Sequence, residues 1–134
     1  MKKNMETITK KKFFTNIEEV PVWVKSHELT LATYEITKTF PKEEMFGLTS
    51  QIRRSACSIP ANITEGFYRN STKELIQFLF NARGSLGESI YHIRLARDLH
   101  YISGDQFLEF KTDFDDVGKQ LNGWIKSLKE RLKK

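Results

Sequence analysis

The chain has 134 residues, of which 39% are hydrophobic and 29% charged, with a net charge of +5. That is one domain's worth of sequence, enough for a real core and short for a cofactor-binding α/β enzyme. The lone Cys57 excludes a disulfide framework or multi-cysteine metal site, no apolar run approaches the ~18 residues of a membrane span, and Met1-Lys2-Lys3 opens no secretory signal, so a reducing cytoplasm is expected.

In chain order, residues 1–15 read as a flexible basic arm and 16–134 as one bundle of four helical segments. The first segment spans 22–40, with Trp23, Leu29, Ile36 and Phe40 on its buried side, and stops at Pro41. The second spans 48–68 through Ile52, Ala56, Ile59, Ile63 and Phe67; Pro60 in its middle predicts a kink near 56–60. Cys57, beside this stripe, reads as a small buried hydrophobe. The third opens on a Ser71/Glu74 capping box and carries Leu75, Leu79, Ala82, Leu86, Ile90 and Ile93 to about Leu99. The fourth opens on a Ser103/Gln106 box and runs in phase from Phe107 through Phe110, Phe114, Val117, Leu121, Trp124 and Leu128 to Leu132, across Gly118 and Gly123. The third segment, ~29 residues and ~43 Å, matches the fourth in length, and the connections are short. The fold class is all-α, an antiparallel up-down-up-down four-helix bundle.

The charge is unevenly placed. Residues 1–12 carry five lysines, Lys10, Lys11 and Lys12 among them, against Glu6. Residues 126–134 carry Lys126, Lys129, Arg131, Lys133 and Lys134 against Glu130. Segment 53–97 is +4, from Arg53, Arg54, Arg69, Lys73, Arg83, Arg94 and Arg97 against three glutamates, whereas 101–125 is −3. Such polarity steers polyanions, or serves solubility and pairing within or between subunits.

No catalytic constellation emerges. Glu88 and His92 are a single pair, where a di-iron bundle needs two Glu-x-x-His motifs. There is no nucleophile elbow and no Gly-rich phosphate loop after a strand. Arg94 and His100, six apart, match an Arg/His spacing of some helical-bundle ribonucleases, but seven arginines and three histidines produce such a spacing readily by chance. We therefore expect no enzyme activity, no metal and no cofactor.

Arg83-Gly84-Ser85-Leu86-Gly87-Glu88 is more informative, because two mid-helix glycines cost stability unless something comes close. Either another helix of the same subunit packs there, or a second subunit does, with Arg83 and Glu88 pairing across the contact. Phe13, Phe14, Phe46, Phe80, Tyr91 and Tyr101 lie outside the four stripes and would leave apolar surface on a monomer, which marks interfaces.

Val22-Trp23-Val24-Lys25-Ser26-His27-Glu28-Leu29, the stretch Gly47–Gly66 with its Ser58-Ile59-Pro60-Ala61-Asn62-Ile63-Thr64-Glu65-Gly66, Gly84-Ser85-Leu86-Gly87-Glu88, and Leu95-Ala96-Arg97-Asp98-Leu99 resemble the four-helix-bundle family of 23S rRNA intervening sequences, also called ribosomal proteins in older usage. The resemblance covers about residues 14–128. Thr64 and Cys57 depart from it, standing where the family has Ala and Val. It implies a link to the accessory proteins of diversity-generating retroelements, pentameric barrels of such bundles that bind nucleic acid and a reverse transcriptase. It carries over no catalytic residue.

Gln51, Arg53, Arg54, Asn62, Glu65, Ser85 and Glu88 match family motif positions. They suggest a buried or interfacial network in which Arg53 or Arg54 pairs with Glu65 or Glu88; the alternative is a network that only satisfies groups freed by Pro60. The expected partners are further copies of the chain in a closed ring, five by resemblance, together with RNA or DNA, or another protein instead, and no membrane. The expected nucleic-acid contacts are Lys10, Lys11, Lys12, Arg53, Arg54, Arg69, Lys73, Arg94, Arg97, Lys129, Arg131, Lys133 and Lys134. The expected network or interface is Gln51, Asn62, Glu65, Arg83, Gly84, Ser85 and Glu88.

Overall fold

A computed structural model describes residues 14–133. Four helices, α1 (Pro21–Thr37), α2 (Leu48–Phe67), α3 (Thr72–Asp98) and α4 (Gly104–Leu132), account for the fold, with short 3₁₀ turns at Ile17–Glu19 and Lys42–Glu44. Each helix packs on its neighbours in sequence, and α1 packs on α4 to close the bundle. The pairings are antiparallel throughout. Trp23 meets Thr64 while Thr37 meets Arg53, Ser85 meets Ser58 while His92 meets Ser55, and Arg83 meets Asn122 while Arg97 covers Phe107.

The phased stripes form the core, with Ile59, Ile63, Leu79, Phe114, Val117 and Leu121 among its fully buried members. On α4 the buried line passes from Leu121 to Ile125 and Leu128; Trp124 is half-buried and Leu132 exposed. The long α4 continues unbroken across Gly123, as its phasing requires. Ser103 and Gln106 close both halves of their capping box; at α3, Ser71 Oγ accepts from the Glu74 N–H at 3.0 Å.

α1 departs from expectation in two ways. It ends at Thr37, not Phe40, and Phe40 is buried in the turn that follows. Its inward face is also largely hydroxylic: Ser26, Thr30, Thr33 and Thr37 are buried at helical spacing. Each is satisfied by a backbone carbonyl of its own helix, Thr33 by Leu29 at 2.8 Å and Thr37 by Thr33 at 2.7 Å.

α2 is continuous helix across Pro60. The proline has no N–H for the Ala56 carbonyl one turn back, and the Thr30 hydroxyl donates to that oxygen instead, at 3.1 Å. Cys57 is exposed, not buried: it lies one residue past Ala56, and about 100° of helix rotation carries it off the core face. The C-terminal end of α2 crosses α3 closely at Gly66, where an added Cβ would lie 2.8 Å from Phe78 Cβ and 3.0 Å from Leu75 Cδ1.

At one end, Glu44 ties two connections together. Its Oε1 accepts from the Leu48 N–H at 3.0 Å, capping α2, and its Oε2 accepts from the Tyr101 hydroxyl at 2.8 Å. The same end holds His100 at φ 65°, the only non-glycine in the left-handed region among the described residues. It closes α3: its N–H bonds Arg97 O at 2.9 Å and the Tyr101 N–H bonds Ala96 O at 2.8 Å.

Candidate functional site

Two stripes of small polar residues face each other between α2 and α3. Ser55, Ser58 and Asn62 recur at helical spacing on α2, as do Ser85, Ser89 and His92 on α3. The Ser89 hydroxyl donates to Ser55 Oγ at 2.9 Å, and Ser55 Oγ lies 3.0 Å from His92 Nδ1. Farther along, the Ser85 hydroxyl donates to Ser58 Oγ at 3.0 Å, and Asn62 Nδ2 donates to the Ser58 carbonyl at 2.8 Å.

Ser55, Ser89 and His92 are all buried. Burial holds the His92 imidazole below its ordinary pKa of 6.5, and the Glu88 carboxylate one turn away opposes that shift. The ring is therefore neutral near pH 7; Ser55 Oγ accepts from Ser89 and is hydrogen-bonded to His92 Nδ1, in the direction set by the ring's tautomer. Both serines also have a backbone carbonyl in reach, Ile52 O at 3.3 Å and Ser85 O at 2.9 Å. A buried hydroxyl–imidazole pair of this kind holds two helices in register.

Above the seam, Gln51, Arg54, Ser55, Ser58 and Glu88 line an open cleft of about 470 Å³. The structure thus brings Gln51, Asn62, Ser85 and Glu88 to one seam, with Arg54 beside them. Of the expected ion pairs, Arg54 and Glu88 line the same cleft, whereas Arg53 and Glu65 have other partners. Arg53 turns toward α1, donating to Thr37 Oγ1 at 2.8 Å with its guanidinium over the Tyr34 ring. Glu65, one turn before Arg69 on the exposed side of α2, pairs with it at 2.6 Å. The groups freed by Pro60 are likewise not met by this network but by Thr30 of α1.

Sequence reasoning missed Ser55, Ser58, Ser89 and His92 as members of the seam. The signal was present: two polar stripes at helical spacing on consecutive helices, each flanking an apolar one. Threading every apolar residue first obscures it.

The expected nucleic-acid residues do not form one patch. Arg69 is paired with Glu65 and Glu74; Arg94 and Arg97 lie over Phe107 at 5.3 and 4.3 Å, and Arg97 also bonds Asp98 at 3.0 Å. Arg83 donates to Asn122 at 2.9 Å and covers Phe80, which Lys129 covers too. Arg54, Lys73 and Lys133 are exposed and Arg131 is half-exposed. Lys10, Lys11, Lys12, Lys134 and Phe13 lie outside the described residues. Gly84 and Gly87 are exposed, and a Cβ added at either would meet nothing within 4 Å, so no helix of the subunit packs against them.

Residues 18–123 match the family model of the 23S rRNA-intervening sequence protein. The chain belongs to this family. Its fold is also similar to the crystal structure of a protein of unknown function from the S23 ribosomal protein family of Bacteroides thetaiotaomicron, at 30% identity and a TM-score of 0.73, over 78% of this chain and 95% of that one. None of the curated proteins matches the chain. Trp23 has a structural use here: its Nε1 donates to Thr64 Oγ1 at 2.9 Å, and Thr64 in turn donates to Pro60 O at 2.8 Å. Thr64 thus joins α1 to α2 just past the proline. No described helix is long and apolar enough to cross a membrane.

Proposed function

We propose that the chain is a non-enzymatic, cytoplasmic protein that assembles into a homopentameric ring and binds RNA or DNA with little sequence preference. The number five rests on the family resemblance. The observation that carries the assembly is the bare stripe on α3. Mid-helix glycines cost roughly 1 kcal/mol each against alanine, and nothing inside the subunit fills the space beside Gly84 or Gly87. Close approach by a second copy gives them a purpose. Exposed Tyr91 and Phe46 add apolar surface of the kind that association covers.

Nucleic-acid binding is supported by the basic termini. A ring repeats each terminus in every subunit, so several engage one polyanion and gain from effective concentration. A second reading, a protein–protein assembly module, is favoured by one specific observation: Arg53, Arg69, Arg83, Arg94 and Arg97 are all occupied by partners or aromatic faces within the subunit. Sedimentation and fluorescence anisotropy test both parts. The wild type should sediment as a ring and bind short single-stranded RNA at ~50 mM salt, weakening with a log–log slope of about −0.7 per phosphate contact. Replacing Lys2, Lys3, Lys10, Lys11 and Lys12 by Gln should flatten that slope. A ring that binds neither RNA nor DNA leaves the assembly-module reading standing, and a monomer at micromolar concentration refutes both.

A further inference from the structure

The bundle has two unlike long faces on opposite sides. Along the α1–α4 edge, Leu29, Ala32, Ile36 and Phe110 line a groove of about 560 Å³, rimmed by Glu35, Glu109 and Asp113. Lys38 and Lys25 pair with Glu35 and Asp113, each at 3.2 Å, whereas Glu109 has no ion pair among the described residues. Along the α2–α3 edge, Gly84, Gly87 and Tyr91 share the outer side of α3, Tyr91 is 57% exposed, and Arg54 stands exposed beside them on α2. The groove's rim is acidic, whereas the α2–α3 edge presents the exposed Arg54, with Glu88 in the same cleft.

We propose that the α1–α4 groove of one copy receives the α2–α3 edge of the next, with Tyr91 seated on the Leu29/Ala32/Ile36/Phe110 floor and Arg54 facing Glu109. This inference rests on the ring reading above and names its contact surfaces. Two different patches that complement each other form a heterologous contact, the kind that closes rings, whereas a twofold dimer needs one self-complementary patch. The glycines have a place in it, since side chains at 84 and 87 would hold the neighbouring helices away from Tyr91. An aromatic anchor in an apolar pocket and an arginine at its rim are the residues that dominate interface energies.

The test uses the full-length chain. Tyr91→Ala removes the anchor and Ala32→Trp fills the groove; both positions are exposed, and far-UV circular dichroism verifies the fold. Each variant should associate at least ~30-fold more weakly and sediment mainly as monomer. Mixed in equal amounts, the two should form dimers and stop there, because only one pairing retains an intact anchor and an intact groove. Arg54→Glu and Glu109→Arg should each weaken the ring, and the double variant should restore it. A wild-type ring that survives Tyr91→Ala and Ala32→Trp intact overturns this inference and leaves the ring reading standing; a wild-type monomer ends both.

Discussion

The Thr30 hydroxyl of α1 lies 3.1 Å from the Ala56 carbonyl of α2, the acceptor that Pro60 leaves without its helical donor. A proline within a helix ordinarily costs ~3 kcal/mol or more, part of it from the bond it removes. A neighbouring helix here returns a donor to the orphaned oxygen, and Thr30 also reaches its own Ser26 carbonyl at 2.9 Å. Thr30→Val keeps the shape and removes the hydroxyl. It should destabilise the fold by about 1–3 kcal/mol in urea unfolding. Against a Pro60→Ala background, where residue 60 again supplies an N–H, the same substitution should cost clearly less. Equal costs in the two backgrounds would show that the two residues are not coupled.

His100 should gain from replacement. Its φ of 65° is strained for a residue with a Cβ, and the Schellman bonds at this helix end are made by backbone groups that glycine also has. His100→Gly should raise stability by about 1 kcal/mol, read as a higher thermal midpoint in calorimetry.

Two glycines should respond oppositely to the same methyl group. Gly66→Ala places a Cβ against Phe78 and Leu75 at 2.8 and 3.0 Å, with α3 backbone just behind, and should cost about 1–3 kcal/mol. Gly84→Ala meets nothing within the subunit and should stabilise the dissociated subunit, at concentrations too low for copies to associate, by about 0.5–1 kcal/mol. Unfolding midpoints at matched protein concentration distinguish the two, while Gly84→Trp should leave the fold intact and impair association in sedimentation.

Acidification should weaken the fold in two windows. His92 is held below its ordinary 6.5 chiefly by burial. Above that value neither state binds its proton. As pH falls below 6.5 the unfolded chain protonates first, so stability declines until the folded-state pKa is passed. His92→Gln should remove this slope. Glu88→Gln should extend it to lower pH, because the carboxylate favours the charged ring. Glu44 is lowered from 4.5 by the Leu48 N–H and then by Tyr101, so its contribution is present above 4.5 and lost as pH falls through its folded-state value. Urea midpoints across the acid range check both.

The helices and their order were legible in the chain. The apolar stripes of α2, α3 and α4 recur at helical period, Ser103 and Gln106 announce a start, and short connections force antiparallel neighbours. These signals are local, and each residue carries its own share. α1 was less legible because its buried face is Ser26, Thr30, Thr33 and Thr37, hydroxyls that satisfy themselves on their own helix and resemble surface in any hydropathy pattern. Which polar residues meet was set by packing between the helices. Arg53 turns to Thr37 and Tyr34 of α1 and not to Glu88 of α3, a choice made by helix rotation, while Glu65 lies twelve residues along the same helix, about 18 Å away. Cys57 faces outward because the core face of α2 runs through Ser55 and Ala56 and turns away one residue later. Spacing along a helix fixes which residues share a face, but what a face meets depends on how the helices are rotated and packed, and that is set by the whole bundle at once.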